Sequence, residues 1–148
     1  MSNAPTCCGL KARFTNGVEI YPHRVDLHAK LIWKCDACGG YVGCHPGSDR
    51  PLGTPATKKL RTARMLLHDR RIDPIWKIDA GSKECKAARH RVYHFLSEKL
   101  GIPREEVHTG LFDIERCRAA WRALSDKSGK RITYADLSLN RSNEPKGQ

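Results

Sequence analysis

The sequence predicts an α+β protein in which an N-terminal zinc ribbon, of three to four antiparallel strands, precedes about three helices. A Cys-x-x-Cys-Gly motif at Cys35–Gly39 lies between two apolar runs, which is the arrangement of a zinc knuckle. After residue 53, apolar residues recur with a helical period in three separate segments. We therefore expect a zinc-ribbon module over residues 1–53, a basic helical region packed on it over 54–139, and a flexible tail over 140–148.

The zinc knuckle supplies two ligands, and zinc requires four. Asn16-Gly17 predicts a β-hairpin, because this dipeptide is a strong signal for a two-residue turn. Pairing of the strands around that turn would place His23 beside Cys8, at the end of the hairpin. The predicted ligands are therefore Cys8, His23, Cys35 and Cys38, with Cys7 as the alternative fourth ligand.

Two further metal-binding side chains, Cys44 and His45, follow Cys38 by six and seven residues along a predicted strand. At about 3.3 Å per residue they lie well away from the knuckle, unless the chain turns back toward it. The role of His45 stays open among metal ligand, phosphate contact and strand end. Together with Arg24 and Arg50, His45 forms a second group of candidate functional residues, in the loops beside the ribbon.

The composition favours a structural role for the metal. The 148 residues are 39% hydrophobic and only 7% aromatic, so one bound Zn²⁺ can replace part of a missing core. A redox pair is less favoured, because a redox Cys-x-x-Cys opens a helix whereas an apolar strand follows Cys38. One structural zinc ion is the cofactor that we expect. The sequence contains no P-loop or dinucleotide-binding glycine motif that would predict a small-molecule cofactor.

Cysteine usage also bears on the cellular compartment. The chain has seven cysteines, an odd number, and no signal-peptide pattern at its start. These features favour a reducing cytosol over secreted disulfides. No run approaches the roughly 20 apolar residues of a membrane span. We expect a cytoplasmic protein without a membrane partner.

Three segments of the second half have the pattern of amphipathic helices. They are predicted over residues 57–71, 82–100 and 113–125, with a short strand or helical turn over 132–139. Asp73-Pro74 is expected to end the first, while Ser82 and Asp113 are expected to cap the second and third. Cys85 and Cys117 fall on the apolar faces of their helices, so we interpret both as core residues.

The positive charge is concentrated in the middle of the chain. The net charge is +11, and residues 54–101 hold 12 basic and 5 acidic side chains, a net of +7. In the first helix, Arg61, Arg64, His68 and Arg71 recur at helical spacing and can follow a phosphate backbone. The candidate nucleic-acid-binding residues are Lys58, Lys59, Arg61, Arg64, Arg71, Lys86, Arg89 and Arg91.

Several blocks of the sequence carry a family resemblance. They are Tyr21-Pro22-His23-Arg24, Cys35-x-x-Cys38, Tyr41–Gly47, Pro51-Leu52-Gly53, Arg89-x-x-x-Tyr93, Leu100–Ile102 and His108–Asp113. Over about residues 7–120 the chain resembles a bacterial and phage family of zinc-finger-containing domains of unknown function. The resemblance implies a zinc-ribbon fold in a phage or bacterial protein. The family has a complete first Cys-x-x-Cys, of which this chain keeps Cys8 and has Pro5 in the other position.

Three functions are compatible with these features. The favoured one is a non-catalytic module that binds DNA or RNA mainly through the phosphate backbone. The alternative is a phage protein that binds and modulates a host protein with an acidic surface, such as a nucleic-acid enzyme. A metal-dependent nuclease is the least favoured, because no histidine-bearing strand is followed by a helix that carries a metal ligand. We therefore expect no enzymatic activity.

Overall fold

The computed structural model describes residues 3–139, which form two compact units divided between Thr62 and Ala63. We call them unit 1 and unit 2. The division falls inside helix α2 (Lys58–Leu67). The predicted module boundary after residue 53 stays a prediction, and the predicted tail over 140–148 lies outside the described residues.

Unit 1 contains the predicted antiparallel strands, arranged as two small sheets. The strands are β1 (Thr6–Cys7), β2 (Leu10–Lys11), β3 (Arg13–Asn16), β4 (Leu31–Lys34) and β5 (Tyr41–Gly43). Strands β1 and β2 pair with each other, and the second sheet has the order β3-β4-β5 with both pairs antiparallel. Phe14 on β3 lies opposite Trp33 on β4, with ring centroids 4.8 Å apart. Such cross-strand aromatic pairs stabilise short sheets.

The predicted hairpin at Asn16-Gly17 is wrong, because a short helix, α1 (Gly17–Ile20), begins there. The Asn16 side chain accepts a hydrogen bond from the Val18 N–H at 2.9 Å, so it caps this helix. A Cβ at position 17 would collide with the Leu27 carbonyl, so the glycine is required for the close approach of two chain segments. β3 then pairs with β4.

Helices make up most of the rest of the described chain. After α1 and α2 they are α3 (Asp73–Trp76), α4 (Ser82–Leu100), α5 (Ile114–Ala123) and α6 (Tyr134–Leu139). One π-helical turn (His68–Ile72) joins α2 to α3, and 3₁₀ turns occupy Val25–Leu27, Arg104–Glu106 and Thr109–Leu111. The α+β class is confirmed, and the three predicted helices correspond to the long helices α2, α4 and α5. None of the helices in residues 3–139 combines the length and apolar character needed to span a bilayer.

Asp73-Pro74 does not end the first helix as predicted, because the helical run continues to Trp76. The Asp73 N–H donates to the His68 carbonyl five residues earlier, which is the π-helical spacing. Pro74 then lies in the first turn of α3, where a missing N–H costs no helical hydrogen bond. The π turn is therefore what lets a proline follow without a break.

The caps of the two other long helices agree with the predictions only in part. The Asp113 side chain accepts a hydrogen bond from the Arg116 N–H at 2.7 Å, which confirms it as the N-cap of α5. Gly81, rather than Ser82, occupies the N-cap position of α4, without a side-chain hydrogen bond. Unit 2 buries Leu96 of α4 and Phe112 fully, and Cys117 is 4% exposed as expected of a core residue.

Candidate metal centre

The first half of the candidate metal centre is a two-residue hairpin between β1 and β2. Cys7 pairs with Leu10, and Cys8-Gly9 form the turn with φ values of 55° and 74°. Two successive positive φ values are typical of a type I′ turn, whose twist matches that of paired strands. A left-handed backbone at a cysteine is unfavourable, and the turn holds it with its side chain beside that of Cys7.

The second half is the predicted knuckle between β4 and β5. The Gly39 N–H donates to the Cys35 carbonyl at 2.8 Å, and the Gly40 N–H donates to Cys38 Sγ at 3.3 Å. A Cβ at Gly40 would lie 3.1 Å from Cys38 Sγ, which is closer than ordinary van der Waals contact, so a glycine suits this approach of the backbone to the sulfur. The knuckle therefore orients its thiols with backbone donors, as metal-binding turns do.

The two turns bring the sulfur atoms of Cys7, Cys8, Cys35 and Cys38 within 4.8 Å of one another. Cys7 Sγ lies 3.7 Å from Cys38 Sγ and 3.9 Å from Cys8 Sγ. A tetrahedral site with Zn–S bonds of about 2.3 Å places neighbouring sulfurs about 3.8 Å apart. The cluster has the ligand number, the ligand type and the spacing of a structural zinc site.

The environment of the four thiols also favours binding of a metal cation. Hydrogen bonds from backbone N–H groups, chiefly that of Cys38, lower the pKa of Cys35 to about 7. Burial raises the pKa of Cys7, and a hydrogen bond with Cys38 raises the pKa of Cys8. Four adjacent thiols cannot all ionise without a positive charge among them, because each thiolate disfavours the next. A bound divalent ion would supply that charge and hold all four as thiolates.

His23 lies outside this cluster of four, and Cys7, the alternative ligand, takes part in it. Because Asn16-Gly17 caps a helix instead of forming a hairpin, the chain does not return to place His23 beside Cys8. His23 is exposed in the turn that precedes the 3₁₀ segment Val25–Leu27. The sequence signal that could have identified Cys7 as a ligand is Cys7-Cys8-Gly9, two adjacent cysteines before a glycine that can form a turn.

A cluster of four cysteines on two short β turns defines a zinc-finger type of module. The chain belongs to a family of zinc-finger-containing domains, whose model matches residues 2–127. Family and cluster together indicate a zinc site. A search of curated proteins and a search of solved structures each found no match to the chain.

The other predicted residues of unit 1 lie in two separate turns. Arg24 forms a two-point ion pair with Asp26, at 2.9 and 2.7 Å. The His45 N–H donates to the Arg50 carbonyl at 2.9 Å, which closes the loop after β5. The Trp33 indole N–H donates to the Asp49 carbonyl of the same loop at 2.7 Å. His45 and Arg50 therefore share one ordered loop.

Three of the predicted phosphate-contacting arginines make contacts inside their own unit. The Arg61 guanidinium donates to the Ala56 carbonyl and stacks on the Tyr41 ring, 3.8 Å from its centroid. Arg64 Nε donates to the Phe112 carbonyl at 2.8 Å. These contacts hold the side chains against the protein, so the regular spacing of arginines along α2 has a structural use.

Arg71 is the third such arginine. Its guanidinium stacks on the Trp121 ring at 3.8 Å from the centroid and donates to the Gly129 carbonyl at 3.1 Å. A further hydrogen bond runs from Arg71 Nε to Ser125 Oγ. Arg71 thus links the π turn to the loop after α5 within unit 2, and stacked guanidinium groups of this kind stabilise a fold.

The remaining predicted cations are mostly exposed. Lys58, Lys59, Lys86 and Arg89 are exposed, and Arg91 is half-buried with its guanidinium 5.7 Å from the centroid of the Tyr134 ring. Within residues 3–139, the ion pairs of α4 are limited to His94 with Glu98. The lysines and arginines of that helix carry charge that no described carboxylate neutralises.

A second group of side chains with metal-binding atoms lies in unit 2. His68 Nδ1 lies 3.5 Å from the carboxylates of both Asp69 and Asp73. Asp73 also accepts from the Trp76 indole at 3.1 Å and pairs with Lys77 at 2.8 Å. These partners account for the group as part of the helix junction.

Proposed function

We propose that the protein is a non-catalytic nucleic-acid-binding module, of phage or bacterial origin, in which one structural zinc ion orders unit 1 and the cations of α4 contact phosphates. The family and the four-cysteine cluster support the zinc site. The observation that carries the nucleic-acid part is the uncompensated charge of α4. Lys83, Lys86, Arg89, Arg91 and Lys99 make no ion pair with a carboxylate in residues 3–139.

The scarcity of accessible aromatic rings favours binding through the phosphate backbone of the nucleic acid over binding through its bases. With 7% aromatic residues, and with Tyr41 and Trp121 covered by arginines, few rings are left for base stacking. Phosphate contacts are independent of base sequence, and they release counterions. We therefore expect weakly sequence-specific binding that falls steeply with salt concentration.

The test is a salt titration of binding to short DNA and RNA, single-stranded and duplex, by fluorescence anisotropy. Each phosphate-contacting cation contributes about one unit to the log–log slope. We expect Lys83→Gln and Lys86→Gln each to reduce that slope by about one, while Lys127→Gln, an equal charge change outside α4, leaves it unchanged.

Arg71→Gln provides a further comparison. The Arg71 guanidinium contacts groups inside unit 2. We therefore expect this substitution to lower the stability of unit 2 and to leave the salt dependence of binding nearly unchanged. A salt-independent response, or no binding at low salt, would reject the proposal. Isolation of a stoichiometric protein partner, bound through the same cations, would then favour the alternative of a module that binds an acidic protein surface.

A further inference from the structure

A cationic pocket of about 400 Å³ lies within unit 2. The face of α4 that carries Lys86, Arg89, His90 and Tyr93 forms one side, at the i, i+3, i+4 and i+7 spacing of a single helical face. The other lining residues come from the π turn and from the 3₁₀ turns after α4. They are His68, Arg104, Val107, His108 and Thr109.

The charged side chains that line the pocket are all basic. Three permanent cations and three histidines line it, and among the described residues the lining contains no carboxylate. Glu105 and Glu106 follow Arg104 directly, yet neither lines the pocket or forms an ion pair with it. The nearest carboxylates with a described contact to the lining are Asp69 and Asp73, 3.5 Å from His68 Nδ1 at one side of the pocket. A concave surface with more cations than carboxylates concentrates anions.

Two of the cations are held in position before any ligand arrives. The guanidinium groups of Arg89 and Arg104 lie 5.4 and 4.7 Å from the centroid of the same Tyr93 ring. Arg89 also lies 5.6 Å from the centroid of the Trp76 ring. Because aromatic rings hold the guanidinium groups and no described carboxylate pairs with them, their N–H donors are available to a planar or tetrahedral oxyanion.

The pocket also has an apolar component and fixed polar groups. Tyr93 and Val107 are 7% and 3% exposed, so each adds a small apolar surface beside the cations. His108 Nδ1 accepts from the Gly110 N–H at 3.0 Å, which fixes the orientation of this ring at the pocket. The volume falls in the range of small-molecule sites rather than of an open groove.

We propose that this pocket binds a phosphate monoester, carried either by a free nucleotide or by the end of a nucleic-acid strand. A monoester presents up to two negative charges and three oxygens in one place, which suits converging guanidinium groups better than the single charge of a chain phosphate. The strand-end form of this inference rests on the proposed nucleic-acid binding, whereas the free-nucleotide form is independent of it.

The test compares oligonucleotides of the same sequence with a 5′-phosphate, a 3′-phosphate or hydroxyl groups at both ends. We expect a preference of about tenfold or more for one phosphorylated end, as one or two charge-assisted hydrogen bonds would give. Arg104→Gln should abolish the preference, while Lys127→Gln, a neutralised cation outside both the pocket and α4, should retain it. Circular dichroism of both variants establishes that the helices are intact.

Adenosine monophosphate and adenosine, titrated by calorimetry, separate the two sources of the ligand. Binding of the monophosphate without binding of any oligonucleotide would support the pocket for free nucleotides and refute the proposed nucleic-acid function. Equal binding of all three oligonucleotides, with no binding of the monophosphate at millimolar concentration, would overturn the pocket and leave the nucleic-acid proposal intact.

Discussion

Unit 1 and unit 2 differ in the amount of apolar material that each buries. Of the buried hydrophobic residues in 3–139, fifteen lie in unit 2 and five in unit 1, where two of the five are alanines. Unit 1 also leaves Val18 and Val25 more than half exposed. Five buried side chains are too few to offset the entropy of ordering some sixty residues. The cysteine cluster of unit 1 is therefore expected to supply what its core does not.

The largest expected effect comes from removing one ligand of the cluster. Cys35→Ser should abolish zinc binding and unfold unit 1, because metal binding of about 10 kcal/mol or more is folding free energy in such modules. Unit 2 should keep its helices. Hydrogen exchange followed by mass spectrometry reports each unit separately, with Cys44→Ser as a control cysteine outside the cluster. Retained zinc and unchanged exchange in Cys35→Ser would contradict a metal-dependent unit 1.

The identity of the fourth ligand is the next test of the comparison. We expect Cys7→Ser to lose zinc as Cys35→Ser does, because its sulfur lies 3.7 Å from Cys38 Sγ. His23→Ala should keep a full equivalent of zinc, since His23 lies outside the cluster. Measuring the zinc content of the purified variants decides whether Cys7 or His23 is the fourth ligand. Zinc loss in His23→Ala alone would restore the ligand set predicted from the sequence.

Unit 2 should respond to the loss of apolar side chains rather than to the loss of metal. Phe112 is fully buried, so Phe112→Ala should cost about 3–5 kcal/mol by creating a cavity. Leu111→Ala is the neighbouring control, because Leu111 is 45% exposed. Denaturant unfolding followed by circular dichroism measures the difference, and zinc content should not change. Equal effects of the two substitutions would mean that Phe112 is not part of a core.

The smallest effect concerns acid sensitivity in unit 2. Asp126 accepts hydrogen bonds from Ser128 and Lys130, and the Ser128 contact contributes most to holding its pKa below the ordinary value of 3.8. A carboxyl with a lowered folded-state pKa stabilises the fold above its unfolded value, and the contribution is lost as pH falls through the folded pKa.

Asp126→Ala should therefore be less stable than the wild type near neutral pH. The difference should shrink as pH falls below about 4. Thermal unfolding at a series of pH values checks it, with Asp79→Ala as the control because Asp79 is an exposed carboxylate outside this turn. A difference that stays constant down to strongly acidic pH would assign the effect to the turn itself rather than to its charge.

The elements that follow from local sequence were predictable. The knuckle at Cys35–Gly39, the strands around it, the Asp113 cap and the three long helices depend on residues within a few positions of one another. The hairpin at Asn16-Gly17 was not predictable, because the same dipeptide also suits a capped helix. In the described part of the chain, the segment after β3 pairs with no neighbouring strand, because β3 pairs with β4 (Leu31–Lys34), which is distant in the sequence.

The sequence by itself determined the cysteine knuckle, the α+β class and the excess of positive charge, since each depends on composition or short spacing. Tertiary structure decided which residues complete the cluster, because Cys7 meets Cys38 only after two turns converge from 31 residues apart. Tertiary structure also decided which arginines contact carbonyl groups inside the protein and which line the cationic pocket. Helical spacing places Arg71 and Arg89 on a face, but only packing determines what that face meets.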